Sequence, residues 1–114
     1  MYKRYNFHAY YEERMRFVRY CQEENFETRD IKDGQVTFVE VPIGFGDISS
    51  GRRVFLSKQG NALTILFFLS HGFLDGFSGY LFIADNRKPG QKEFGYELDQ
   101  SVKIEDHWYY VGSP

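Results

Sequence analysis

Between Ala62 and Asp85 the sequence is apolar in both phases of an extended chain at once. Leu63, Ile65, Phe67 and Leu69 share one side, while Ala62, Thr64, Leu66 and Phe68 share the other. The returning arm repeats the pattern, with Phe77, Leu81 and Ile83 on one side and Tyr80, Phe82 and Ala84 on the other. A half-solvated strand alternates apolar with polar residues, so a strand apolar on both sides is covered on both sides. His71, Gly72, Asp75, Gly76, Ser78 and Gly79 interrupt the stretch, which argues for a hairpin and against a membrane-spanning helix. The rest of the chain must therefore supply two covers, or a partner must supply one.

One cover is a helix. From Phe7 to Glu24, Phe7, Tyr11, Met15 and Val18 fall on one stripe, and Tyr10, Phe17 and Cys21 widen it. Asn6 is placed to cap its start and Asn25 to end it in the left-handed conformation. Glu12, Glu13, Arg16, Arg19 and Glu23 lie opposite, with Glu12–Arg16 and Arg19–Glu23 four apart as on a solvated face.

After Asn25 the period changes to two. Phe26 to Lys32 and Gln35 to Val41 flank Asp33-Gly34, and Arg53 to Lys58 and Ala62 to Ser70 flank Gly60-Asn61, both tight-hairpin signals. Asp75-Gly76 marks a third turn; as a two-residue turn it would set His71 opposite Tyr80 and Gly72 opposite Gly79. Paired glycines of that kind mark sharp bending or the close approach of another backbone. Phe94 to Leu98 and Val102 to Val111 read as the last strands. The predicted fold is α+β: one N-terminal helix packed on a strongly curved antiparallel meander of six to seven strands, forming a single domain over residues 1–114. At 114 residues and 13.5 kDa such a domain exposes roughly 6,500 Å² when folded, enough burial for one core without metal or disulfide.

Lengths now limit the helix. Eighteen residues make a cylinder about 27 Å long and about 10 Å wide, while strands lie about 4.8 Å apart, so the helix shields two or three strands on one face. The second face of the central hairpin calls for a barrel-like curl of the sheet or for a second subunit.

Chemistry has few footholds. Gly44 to Gly51 resembles a phosphate cradle, but a strand follows it where such loops require a helix N-terminus, so it reads as a connection between strands. Cys21, the single cysteine, lies on the buried stripe, where thiols are inert and no intrachain disulfide is possible. His8 and Glu12 stand four apart but have no third metal ligand, and no metal or other cofactor is expected. Arg14, Arg16 and Arg19 with Lys3 and Arg4 form a basic group that Glu12, Glu13, Glu23 and Glu24 largely neutralise. With a net charge of −2, this disfavours nucleic acid. Met1 to His8 carries no apolar signal core, and a cytoplasmic location is expected.

Two function classes remain. The first is a non-enzymatic protein-interaction or assembly module, a homo-oligomer or a partner of another protein, docking through its aromatic-rich sheet with Phe68, Phe82, Trp108 and Tyr110 as interface residues. The second is a small-molecule-binding domain, enzymatic or not, whose pocket between helix and curved sheet would draw on His71, Asp75, Tyr80, His107 and Tyr109. Asp106 and His107, adjacent in a strand, would point oppositely and form no acid–base pair, with His107 and Tyr109 on one face and Trp108 and Tyr110 on the other.

Overall fold

The computed structural model describes residues 4–23, 36–59, 62–71, 76–94 and 96–113. The predicted helix forms in two pieces, α1 (Arg4–Ala9) and α2 (Tyr11–Glu23). Asn6 lies inside α1 and does not cap it. Neither Gly nor Pro marks the break at Tyr10. The fully buried Phe7 ring stands edge-on to Tyr80 and Trp108, both with centroids 5.3 Å away. Asn25, Asp33-Gly34 and the strand expected over Phe26 to Lys32 lie outside the described residues.

Among the described residues eight strands follow: β1 (Val36–Glu40), β2 (Arg53–Gln59), β3 (Ala62–His71), β4 (Phe77–Ile83), β5 (Lys92–Glu93), β6 (Tyr96–Glu97), β7 (Gln100–Glu105) and β8 (Trp108–Ser113). Six form one antiparallel sheet in the order β1-β2-β3-β4-β8-β7, and β5 pairs with β6. The sheet is curled but not closed, with the helical segment on one side, so the fold is α+β. The meander holds through β4. The chain then leaves the sheet, and its last strand, β8, returns beside β4 with β7 outside it.

Two local expectations are corrected. Val102 to Val111 is two strands, turned at Asp106-His107 so that Glu105 pairs with Trp108. His107 takes a left-handed φ of 73°, and three bonds pin the turn to the end of β4. Asn86 Oδ1 accepts the His107 N–H at 2.8 Å, Ile83 N–H donates to His107 O at 2.8 Å, and His107 Nδ1 lies 2.8 Å from Ile83 O. A carbonyl only accepts, so Nδ1 carries the proton. The β3–β4 register also differs: Tyr80 pairs with Phe67, Gly79 with Phe68 and His71 with Phe77. A bulge between Phe68 and Ser70 takes up one residue, and residues 72–76 separate the last pair. A Cβ on Gly79 would stand 2.3 Å from Phe67 O, so glycine is what lets β4 approach β3 there.

Both faces of the central hairpin are buried, as the two-phase pattern requires. Under the helices, Phe7, Phe17, Val18 and Cys21 pack on Ile65, Phe67, Tyr80, Phe82, Trp108 and Tyr110. On the opposite face Leu66, Phe68, Phe77, Leu81, Ile83, Tyr109 and Val111 form a second cluster. Its cover comes from the chain itself. The strap between β4 and β7 lays Phe94 and Leu98 onto it, with Phe55 alongside. Arg87 and Glu93 staple the strap through two parallel contacts of 2.9 and 3.1 Å. Arg87 also reaches Thr64 Oγ1 at 3.4 Å, and Gly90 N–H donates to Glu93 Oε2 at 2.7 Å. The bond to Glu93 holds the Arg87 guanidinium above its ordinary pKa. The folded surface is 6810 Å², close to the value expected from mass.

Candidate functional site

The structure separates the residues singled out from sequence. Tyr80 is buried under the helices and Tyr109 is buried on the opposite face. His107 sits in its turn with its ring stacked on Phe82 at 5.8 Å, which puts it on the side away from Tyr109. His71 pairs with Phe77 at the far end of β3, and Asp75 lies outside the described residues. Tyr80, His107 and Tyr109 do not share one face. Phe82, Trp108 and Tyr110 are buried in the helix-side cluster and Phe68 in the other.

Two features do gather chemistry. The first is an aromatic rim where the second face meets β1. Phe38 is 50 % exposed, and Val36 and Tyr96 are 42 % and 39 % exposed. Behind them the rings form a continuous network: Phe38–Phe55 at 4.7 Å, Phe55–Phe68 at 5.1 Å, Phe55–Tyr96 at 6.1 Å and Phe77–Tyr96 at 5.3 Å. The Arg53 guanidinium lies 5.3 Å from the centre of the Phe38 ring, and Glu40 pairs with Arg53 across the ladder.

The second is a cavity of about 250 Å³ between α2 and the loop leading into β2, lined by Tyr10, Arg14, Asp47, Ser49–Arg52 and the Phe68–Leu69 step. Arg14 is 1 % exposed, which removes it from the surface basic group in which the sequence had placed it. Its Nε donates to Ile48 O at 3.0 Å. Its guanidinium lies over the Tyr80 ring at 4.8 Å and near Tyr10 at 5.6 Å. Burial lowers its pKa to about 10, against the smaller opposing influence of Tyr80, Tyr10 and Glu13. The wall opposite is set by Ser49, whose hydroxyl donates to Arg53 O and accepts the Phe68 N–H at 2.8 Å. Gly51 and Arg52 both take left-handed φ, 71° and 56°, and Arg52 donates to Val41 O at 3.3 Å.

Arg14 is legible in the sequence as an anomaly. It stands four residues after Tyr10 and three before Phe17, the one charged position on an otherwise apolar stripe. Nearby, Arg16 donates to Gly44 O and lies over the Phe45 ring at 4.9 Å, fastening the loop to α2. An open groove of about 440 Å³ runs between them, its charges mixed: Arg16, Arg19 and Glu23.

Among the described residues no cluster of three His, Cys, Asp or Glu side chains is arranged to hold a metal, and no helix is long and apolar enough to cross a membrane. Comparison with protein-family models, with curated proteins and with solved structures finds no match.

Proposed function

We propose that the chain is a non-enzymatic interaction module that pairs with a second copy of itself through the aromatic rim of β1, β2 and the strap. The observation that supports this is the exposure of Phe38, Val36 and Tyr96 on top of a continuous ring network. Half-exposed aromatics backed by rigid ones present large apolar area at little cost in side-chain entropy, the usual anchor of a protein contact. A second copy is favoured over an unrelated partner by charge. Glu40 and Arg53 sit side by side at one end of the rim, so a two-fold contact sets each against its opposite on the other copy. The net charge of −2 opposes such pairing only weakly. Phe68, Phe82, Trp108 and Tyr110 then act from beneath, as the rigid floor of the sheet.

Sedimentation equilibrium tests the reading, run from about 5 μM to about 1 mM, a range that spans weak contacts of small area. The wild type is expected to show a reversible dimer, and Phe38→Glu to stay monomeric while keeping its circular-dichroism spectrum. A wild type that remains a monomer to about 1 mM, or a Phe38→Glu variant that dimerises equally well, contradicts it.

One observation favours a second reading, a small-molecule-binding domain: the cavity of about 250 Å³ beside Arg14.

A further inference from the structure

We infer that the strap between β4 and β7 is the switch of the aromatic rim: a copy pairs while its strap is seated and not while it is lifted. The inference rests on the rim reading above and adds what regulates it.

The rim is built from two parts of the chain. Phe38 and Phe55 belong to β1 and β2 of the six-stranded sheet, whereas Tyr96 belongs to β6, in the strap. The Tyr96 ring is stacked on Phe55 at 6.1 Å and stands edge-on to Phe77 at 5.3 Å. The Phe94 ring, also in the strap, lies 5.5 Å from Phe55. Lifting the strap therefore takes Tyr96 out of the rim and uncovers the apolar cluster around Phe68 and Phe77.

The strap is tied to the sheet mostly through side chains. Among the described residues its backbone bonds to the sheet lie at its ends, Asn86 N–H to Ile83 O at 3.1 Å and Asp99 N–H to Gly112 O at 2.9 Å. Between them the strap backbone pairs with itself, through β5 and β6 and from Leu98 N–H to Gln91 O at 2.9 Å. Phe94 and Leu98 pack downward, Ser113 Oγ donates to Glu97 O at 2.6 Å, and Arg87, braced by Glu93, reaches Thr64. Backbone strain opposes these contacts. Asn86 and Phe94 take left-handed φ of 59° and 55°, a conformation that a bulky side chain adopts only when its surroundings impose it. A segment with few backbone bonds to its neighbours opens locally while the rest of the fold stays closed.

Pairing and seating then favour each other. A second copy that binds only the seated form draws the strap down, and a change that lifts the strap weakens pairing by the same coupling.

The experiment combines sedimentation equilibrium with amide hydrogen exchange on the full chain. Glu93→Ala and Leu98→Ala each loosen the strap without removing an exposed rim residue. Each, shown to be folded by circular dichroism, should raise the dimer dissociation constant about tenfold or more. The exchange probes are the Gly90 amide, bonded to Glu93, and the Asp99 amide, bonded to Gly112. In the wild type both should exchange about threefold or more slower at about 1 mM than at about 5 μM, and in Phe38→Glu at one rate throughout. A wild type that stays monomeric overturns the rim reading, and this inference with it. A wild type that dimerises while every folded strap variant pairs equally well overturns the strap switch alone, as do Gly90 and Asp99 amides indifferent to concentration. Should neither variant fold, the wild-type exchange decides.

Discussion

Arg14 sits where helical spacing alone would put an apolar side chain, and its energetics follow from that place. Burial holds its folded pKa near 10, well below the ordinary guanidinium value, so above about pH 10 the unfolded chain binds the proton more tightly than the folded one. The penalty is therefore complete below about pH 10 and relaxes as pH climbs toward the ordinary guanidinium range. Arg14→Met should range from unchanged to about 2 kcal/mol more stable than the wild type at pH 7, because well-packed apolar residues often replace buried charges at no loss. That difference should shrink by about pH 11, where the wild-type guanidinium sheds its proton. Urea melts at both values check it, and a loss of more than about 2 kcal/mol at pH 7 would show Arg14 to be a structural member of the core. The stripe made Arg14 legible as an anomaly. What it faces was not legible, because Ile48 to Arg52 reach it from more than thirty residues away, Ile48 itself by a bond spanning 34 positions.

At the scale of elements, the β3–β4 pairing shows what period-two reasoning can and cannot reach. The expected partner of Tyr80 was His71 and the observed one is Phe67, a displacement of an even number of residues. Side chains alternate with a period of two, so an even slip preserves every facial assignment, and the two clusters contain the residues the alternation predicted. The turn could not be placed because nothing in Asp75-Gly76 announces the bulge between Phe68 and Ser70 or the close approach of Gly79 to Phe67 O. Gly79→Ala should accordingly cost about 2 kcal/mol or more, since the clash is with main chain and overpacking of that kind resists relaxation. Thermal melts would show it, and a loss below about 0.5 kcal/mol would contradict the close approach. The strap depends on its ion pair in the same way. Glu93→Ala should destabilise by about 2–4 kcal/mol by stranding Arg87, while a double Arg87→Met/Glu93→Leu replacement should recover most of the loss. A Glu93→Ala protein as stable as the wild type would remove the staple from the account.

For the whole molecule, the sequence posed a question of area: two apolar faces and a helix able to cover one. The helix does cover one, and the second is covered by a strap that reads in the sequence only as a Pro-Gly loop followed by a short strand. Alternation identifies what must be hidden, but the strap's identity depends on Arg87, Thr64 and Glu93 meeting from three separate places in the chain. Beside the closed strap Val36, Phe38 and Tyr96 stay exposed as one rim, which is why pairing is proposed there and not over the middle of the sheet. Amide hydrogen exchange on β3 and β4, measured at two protein concentrations about a hundredfold apart, tests this most directly. If helix and strap close both faces within one chain, those amides are the slowest in the protein and exchange at the same rate at both concentrations, whereas Phe94→Ala quickens β4 and β8. Protection of β3 and β4 that appears only at the higher concentration would mean that a second molecule supplies the cover, and would contradict the account.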